Sequence, residues 1–382
     1  MTDQNTNVNS DSQKQIDNAR LNAQHKFFVE IDLMRGQGFN AQALLKLIQQ
    51  QEYDFSKDDI LKIFSGRYGL WRESEFCSTP NKIAELIAGV AGIYSPESVI
   101  DICCGTGNIL SYFKNISRVR GVDINSDAVH VAQLINANAD ILSANILKYD
   151  IGDVKYDLVI GHLPFGARTI DKKPLEIELI KKGLELLADN GVAIFIVSEG
   201  LLTNSEAAEF RHELLSSYAL DMVISLPAGA FSYTFIKTSV LVLRKGQNNE
   251  DVYFPDFKDN PIEVVDNFKQ LKGETYIPIS KITDRLDRNH YLSLEAINEL
   301  IKGYDLIKLS DVSEIIKGKA LDSKRFTTSG AYLSFNRQDK NGKNFIDVIS
   351  DERCVLKPDD IVVHLIGPKN KISFYEEQEI KT

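Results

Sequence analysis

Residues Ser98 to Phe113 read SVIDICCGTGNILSYF, and this stretch decides the fold class. The apolar run Val99, Ile100 and Ile102 carries a single acid, Asp101, and then breaks at Gly105-Thr106-Gly107-Asn108. Ile109-Leu110-Ser111-Tyr112-Phe113 resumes with the texture of a helix. The pattern predicts a buried strand, a tight turn and a helix start, in that order. The two glycines let the backbone approach a ligand closely and leave N–H groups free at the helix N-terminus. An ordinary βα turn also carries glycines, so the turn alone does not name its ligand.

The next stretch, Arg120-Gly121-Val122-Asp123-Ile124-Asn125, reads as a second strand ending in an acid. A carboxylate about 20 residues past such a turn can bind both hydroxyls of a ribose. The third glycine of a dinucleotide fingerprint is missing, because Leu110 stands in its place. No Gly-Lys-Ser/Thr follows either, which argues against a phosphate-cradling loop. S-adenosylmethionine has a ribose and no phosphate, so it needs the turn and the acid without the cradle. D-x-x-C-G-T-G-N followed by G-V-D-I-N resembles motifs I and II of the class I S-adenosylmethionine-dependent methyltransferases. That resemblance implies an α/β fold with a mostly parallel sheet, helices on both faces and a closing hairpin. It also implies S-adenosylmethionine as cofactor. Its binding residues would be Asp101, Gly105, Thr106, Gly107 and Asn108, then Asp123 on the ribose with Ile124, and Asn145 and Ile146 near the adenine.

Alternation of strands and helices from Trp71 to about Gly246 predicts the same architecture. Strands are expected at Ser98–Ile102, Val119–Asp123, Asp140–Leu142, Tyr156–Gly161, Val192–Val197, Asp221–Leu226 and Thr238–Arg244, with helices at Asn81–Ala91 and Pro174–Ala188. Residues 1–20 are rich in Asn, Asp, Gln and Ser, which predicts a disordered tail. Residues 21–70 have helical periodicity, 247–303 read as a polar connector, and 304–382 read as a β-rich appendage. Strands are expected there at Lys308–Ile316, Ala331–Phe335 and Asp360–Leu365.

Composition bounds the remainder. The 382 residues carry a formal net charge of −10, whereas a chain that grips DNA alone across a wide face is usually basic. A local basic patch or a basic partner would have to supply those contacts. The four cysteines, Cys77, Cys103, Cys104 and Cys354, form no C-x-x-C pair, so a zinc site is not expected. Thiols without a disulfide pattern suit a reducing compartment, and the N-terminus lacks the apolar core of a signal peptide. No apolar run approaches the roughly 18 residues of a membrane span. The expected location is cytoplasmic, with no membrane partner.

The substrate clue is Tyr156-Asp157-Leu158-Val159-Ile160-Gly161-His162-Leu163-Pro164-Phe165-Gly166, a strand running into a sharp loop. Ligands of open α/β sheets bind at such carboxyl ends. The loop resembles motif IV of the amino-methyltransferases, which reads Asn-Pro-Pro-Phe or Asn-Pro-Pro-Tyr in the adenine-N6 group. The resemblance implies that His162 and the Leu163 carbonyl accept the two N–H bonds of an exocyclic amine. Pro164 and Phe165 are retained from that pattern, and Phe165 would stack on a base flipped out of the duplex, while the stiffening that the first proline gives the loop is lost. His162 replaces the family's Asn, and Leu163 its first Pro. Neutral imidazole accepts one hydrogen bond, but it is larger than an amide and becomes a pure donor when protonated. Weakened or lost catalysis is therefore one expectation from this loop. Asn145 likewise stands where the family places an acid; it either accepts from the cofactor's adenine amine or simply caps its own loop.

Two flanking stretches narrow the resemblance. Glu75-Phe76-Cys77-Ser78-Thr79-Pro80-Asn81-Lys82-Ile83-Ala84 resembles the segment that closes over the methionine end of the cofactor, where Thr79 either contacts it or caps the helix after Pro80. Leu226-Pro227-Ala228-Gly229-Ala230-Phe231, with Thr234 and Lys237-Thr238-Ser239-Val240-Leu241, resembles a run found in the methyltransferase subunits of type I restriction–modification systems. Further on, Arg285-Leu286-Asp287-Arg288-Asn289-His290-Tyr291 and Lys308–Lys319 resemble phrases that precede and open target-recognition domains. The family resemblance thus implies a DNA adenine-N6 methyltransferase carrying a partial recognition domain. DNA and a specificity or restriction subunit, or a second copy, would be its partners. Two other readings stay open: a catalytically inactive subunit for DNA binding or assembly, and a methyltransferase for another amine on RNA or protein.

Overall fold

A computed structural model describes residues 78–231, 234–247, 249–271, 275–300 and 302, together with four short strands further on. The expected tail 1–20 and helical region 21–70 lie outside the described residues. The chain divides into two compact units, Met1–Leu300 and Ile301–Thr382.

Among the described residues, the first unit is built on a nine-stranded sheet. Its strands in chain order are β1 (Ser98–Asp101), β2 (Arg118–Asp123), β3 (Asp140–Ser143), β4 (Tyr156–His162), β5 (Leu187–Ser198), β6 (Ala219–Ser225), β7 (Thr238–Arg244), β8 (Asp251–Tyr253) and β9 (Tyr276–Pro278). Their spatial order is β3-β2-β1-β4-β5-β7-β6-β8-β9. Strands β3, β2, β1, β4 and β5 run parallel, and β7 lies antiparallel between β5 and β6. The expected closing hairpin is therefore present, with β7 inserted beside β5. The chain leaves β1 toward β2 on one side and returns on the other as β4. That reversal opens a crevice outside the carboxyl ends of β1 and β4.

Helices α1 (Asn81–Ile93), α2 (Ser126–Ile135), α3 (Leu175–Glu185), α4 (Glu199–Thr203), α5 (Ala208–Ser217) and α6 (Pro261–Lys269) cover the sheet, and α7 (Arg288–Leu300) follows them. Strand residues alternate between two buried clusters. Ala193, Phe195 and Val197 of β5 pack with Ile180 of α3 and Phe210 of α5, while Ile194 and Ile196 join Leu86 and Ile87 of α1 and Ala132 of α2. This period-two division of a continuous apolar run marks a strand buried on both faces.

Two expectations differ from the structure. The helix expected from Ile109 is only a short 3-10 turn, Leu110–Tyr112. Residues expected as a connector supply β8 and β9, which extend the sheet beyond β6. Arg285-Leu286-Asp287, resembling the preface to a recognition domain, forms a clasp on the same unit. Leu286 is buried and its N–H bonds the Leu202 carbonyl at 3.0 Å. The Arg285 guanidinium reaches Asp287 at 2.8 Å, and buried Arg211 donates to the Asp284 and Leu201 carbonyls.

In the second unit, β10 (Tyr332–Leu333) pairs antiparallel with β11 (Phe345–Ile346), and β12 (Ile361–His364) with β13 (Lys371–Phe374). Strands β10 and β12 fall within the expected Ala331–Phe335 and Asp360–Leu365. The expected Lys308–Ile316 lies outside the described residues.

Candidate functional site

The turn after β1 is pinned from below and from the side. Gly105 and Gly107 both have positive φ, +52° and +74°. A side chain at Gly107 would collide with Asn136 Nδ2 and approach Ala132 Cβ at 3.0 Å. Asn136 donates to the Gly107 carbonyl at 3.1 Å, tying the turn to the end of α2. At Gly121 of β2, an added Cβ would meet Leu110 at 2.7 Å and Cys104 at 3.0 Å. Its absence lets the turn settle onto the sheet. Burial pushes the Cys103 and Cys104 thiols well above their ordinary value, consistent with inert packing rather than reactivity.

Asp123 ends β2 beside this turn. One carboxylate oxygen accepts from Gly105 N at 2.8 Å and the other from Asn125 N at 2.8 Å. The Ile124 backbone also bonds this carboxylate, whose roughly four lone-pair sites leave room for a ribose hydroxyl to donate. Ile124 follows with its side chain in solvent, 73% exposed. The Asn145 side-chain oxygen accepts from Leu147 N at 3.0 Å, which is the loop-capping arrangement, and Ile146 is buried.

Two buried acceptors near the turn have no hydrogen-bond partner among the described residues: Asp101 Oδ2 and Asn108 Oδ1. The other Asp101 oxygen accepts from Cys103 N at 3.1 Å. Burial pushes the Asp101 carboxyl up to about 7, and the nearby Asp123 acts in the same direction. Native interiors rarely leave such groups unsatisfied, and orphaned acceptors suit a cationic ligand group. S-adenosylmethionine carries an ammonium and a sulfonium, so its chemistry fits these two unpaired acceptors.

Thr79 links the glycine turn to the loop after β4. Its carbonyl accepts from Asn108 Nδ2 at 2.6 Å, and its hydroxyl lies 2.8 Å from His162 Nδ1. Thr79 does not cap α1. The cap position is Pro80, whose side chain makes no cap bond. Ser78 extends the link, with its hydroxyl 3.3 Å from Thr106 Oγ1. His162, the last residue of β4, packs in a three-ring cluster, with centroids 4.7 Å from Phe231 and 5.5 Å from Phe165, which are themselves 6.1 Å apart. Burial lowers its imidazole to about 3, so the ring is neutral throughout the physiological range. Leu163 is buried, with its N–H on the Ile196 carbonyl at 3.3 Å, while Pro164 and Phe165 remain half-exposed.

The structure therefore brings Thr79, Thr106, Asn108 and His162 into one connected set. Sequence reasoning did not place Phe231 in it, although Phe231 ends the Leu226–Phe231 run that resembled a family motif. Among the described residues no cluster of His, Cys, Asp and Glu could hold a metal, and no helix is long and apolar enough to cross a membrane.

Comparison with known proteins adds to this geometry. The type I restriction enzyme MpnII methylase subunit of Mycoplasma pneumoniae is 24% identical over 327 residues, 72% of this chain and 59% of that protein. The type II methyltransferase M.CvrRI of Paramecium bursaria Chlorella virus XZ-6E is 27% identical over 184 residues, covering 44% of this chain and 47% of the viral one. The chain thus spans about half to three-fifths of these relatives. A solved Listeria monocytogenes structure assigned to the class I S-adenosylmethionine-dependent methyltransferases is 18% identical. It aligns with a TM-score of 0.50 over 60% of this chain and 83% of its own, and so shares the fold. The family model described as N-6 DNA Methylase matches residues 72–317, well over half of the sequence, and the chain belongs to that family.

Proposed function

We propose that the chain transfers a methyl group from S-adenosylmethionine to the N6 amine of adenine in DNA, as part of a restriction–modification system. The observation that carries this reading is the Thr79 bridge. One residue joins the cofactor turn, through Asn108, to a neutral imidazole at the mouth of β4. Asp101 and Asn108 would hold the cofactor's ammonium, Asp123 its ribose, and exposed Ile124 its adenine face. When bound, S-adenosylmethionine supplies a methyl group on a sulfonium, already activated for transfer.

The chain's own residues then position the acceptor. An exocyclic amine is a poor nucleophile because its lone pair is delocalised into the ring. Accepting its N–H bonds at His162 and at the Leu163 carbonyl turns the lone pair out of conjugation and toward the methyl. Half-exposed Phe165 offers a stacking face for a flipped base. The contribution is orientation rather than proton abstraction, since an imidazole lowered to about 3 is a very weak base. Base recognition would fall to the second unit or to a specificity subunit, which suits the acidic total charge.

The test is transfer of labelled methyl from S-adenosylmethionine to duplexes that contain or lack adenine, with and without a candidate specificity subunit. Adenine-dependent transfer that Phe165→Ala reduces by at least tenfold is the expected result. Cofactor binding without transfer to any adenine-containing DNA would overturn it in favour of an inactive assembly subunit. Transfer to RNA or protein instead would favour the third reading.

A further inference from the structure

Phe165 presents its ring from a segment that has left the sheet. The pairing of β4 with β5 ends as Leu163 N bonds the Ile196 carbonyl at 3.3 Å. Further on, Leu175 N meets the Ala167 carbonyl at 2.9 Å and closes a short hairpin. Pro164, Phe165 and Gly166 stand between these two points. Gly166 has φ +69°, and a Cβ placed there would find open space, so nothing presses on it from that side. Glycine is also the residue freest to leave such a conformation. Glu176, the second residue of α3, supplies a hold. An acid there ordinarily faces solvent and favours the helix N-terminus. This one turns inward and is only 7% exposed. One carboxylate oxygen accepts from Ser198 N at 2.8 Å and the other from the Ser198 hydroxyl at 2.9 Å, and the Gly166 backbone N–H bonds the carboxylate as well. Burial pushes the carboxyl above its ordinary range, and these bonds pull it back. Ser198 is a firm anchor: it is buried, it pairs with Thr238 of β7, and the next residue, Glu199, donates its N–H to the Lys237 carbonyl at 2.8 Å.

We propose that Glu176 is a positioning residue that pins Gly166 to the end of β5 and so holds the Phe165 ring where a flipped base would stack. That Phe165 meets a base rests on the functional reading above; the pin itself does not. The hairpin has a second brace, in which Arg168 donates to both Glu206 oxygens at 2.9 and 3.0 Å. Both of those side chains are about half-exposed, and such surface pairs add little. The buried carboxylate is different, because its acceptors are matched to three donors from two separate segments. A glutamine at this position keeps the size but turns an NH2 toward those donors, so at least one of the three loses its acceptor.

The experiment follows hydrogen exchange at the Gly166 amide in the full chain. Phe165-Gly166 is the one Phe-Gly step in the sequence, so labelling phenylalanine carbonyl carbon and glycine nitrogen together isolates its NMR signal. The native amide should be protected. Glu176→Gln should speed its exchange roughly tenfold or more, the worth of one hydrogen bond to a charged group, while β5, followed by exchange mass spectrometry, stays within about twofold. Arg168→Ala should change it far less. If Glu176→Gln does not fold, Glu176→Asp, which keeps the charge and shortens the reach, should loosen the same amide. In methyl transfer, Glu176→Gln should lower kcat by roughly tenfold in the native chain but by less than about twofold in Phe165→Ala, with the S-adenosylmethionine KM nearly constant. A role confined to stability would instead give equal losses in both backgrounds. An unprotected Gly166 amide in the native chain, exchange unchanged by both Glu176 variants, or equal loosening by Arg168→Ala would overturn the pin, and equal kcat losses would overturn its action through Phe165. The exchange result needs no turnover, so absence of methyl transfer counts against the function and leaves the pin to stand or fall separately.

Discussion

Cofactor affinity should depend on pH through Asp101. Its carboxyl is buried, one oxygen has no partner among the described residues, and the group is pushed up to about 7. A cation docking on that oxygen stabilises the charged form and draws the group back toward its ordinary range near 4. Binding therefore releases a proton below pH 7. In the free protein at about pH 5 only ~1 in 100 such carboxyls is ionised, so affinity there should fall close to a hundredfold relative to about pH 8. Calorimetry in two buffers of different ionisation enthalpy measures both the affinity and the proton count. Burial also raises Asp123, so the comparison with D101N isolates the Asp101 share. That variant should bind weakly with a flattened pH slope. The stability of the empty protein should move the other way. A group raised in the folded state destabilises it once pH exceeds the unfolded value near 4, with the full effect above 7. D101N should accordingly gain up to about 4 kcal/mol at alkaline pH, and progressively less as pH falls. Affinity that stays flat from about pH 5 to 8, with no proton released, would refute the assignment of Asp101 to the cofactor's cation.

Three further outcomes are expected. Asp123→Ala should weaken S-adenosylmethionine binding by roughly 1.5–3 kcal/mol in calorimetry, whereas Asp127→Ala, in the first turn of α2, should change it little; equal losses would remove the ribose assignment. His162→Asn should keep cofactor affinity and raise methyl transfer to adenine-containing DNA, while kcat of the native chain at saturating cofactor should show no inflection near pH 6.5, because its imidazole sits at about 3. A slower Asn variant would mean that the histidine is adapted rather than degraded. Ending the chain at about residue 303 should preserve cofactor binding and abolish preferential DNA binding and its salt dependence; unchanged DNA binding would make the second unit an appendage for another protein.

Much of the sheet was legible because its strands carry dense apolar runs. Thr238–Arg244 was bounded correctly, and Tyr156–Gly161 fell one residue short. The start of β5 was not legible. Asp189-Asn190-Gly191 reads as a turn, yet the chain passes through it with Asn190 at φ +61° while Leu187 still pairs with Tyr156. Strands β8 and β9 are three residues each, too short for periodicity to register. At the site, local motifs located the glycine turn, Asp123 and the loop after β4. The contacts that join them are long-range: Thr79 and His162 are 83 residues apart, and no local pattern encodes which hydroxyl meets which ring nitrogen. Thr79 read from the sequence either as a cofactor contact or as a helix cap, and neither reading anticipated its bond to His162.

The borders of the sheet constrain how this protein can meet others. At one border lies β9, three residues ending in Pro278, which has no N–H to offer. At the other lies the four-residue β3, where Arg120 of the neighbouring strand reaches Asp140. Short margins bearing a proline or a charge are poor templates for backbone docking, and they suppress the head-on sheet merging that leads to aggregation. Along these described edges, a partner would find side chains and loop shapes rather than a long open strand to pair with. Its affinity would be set by a few substitutable contacts, leaving the choice of partner open to change while the sheet stays as it is.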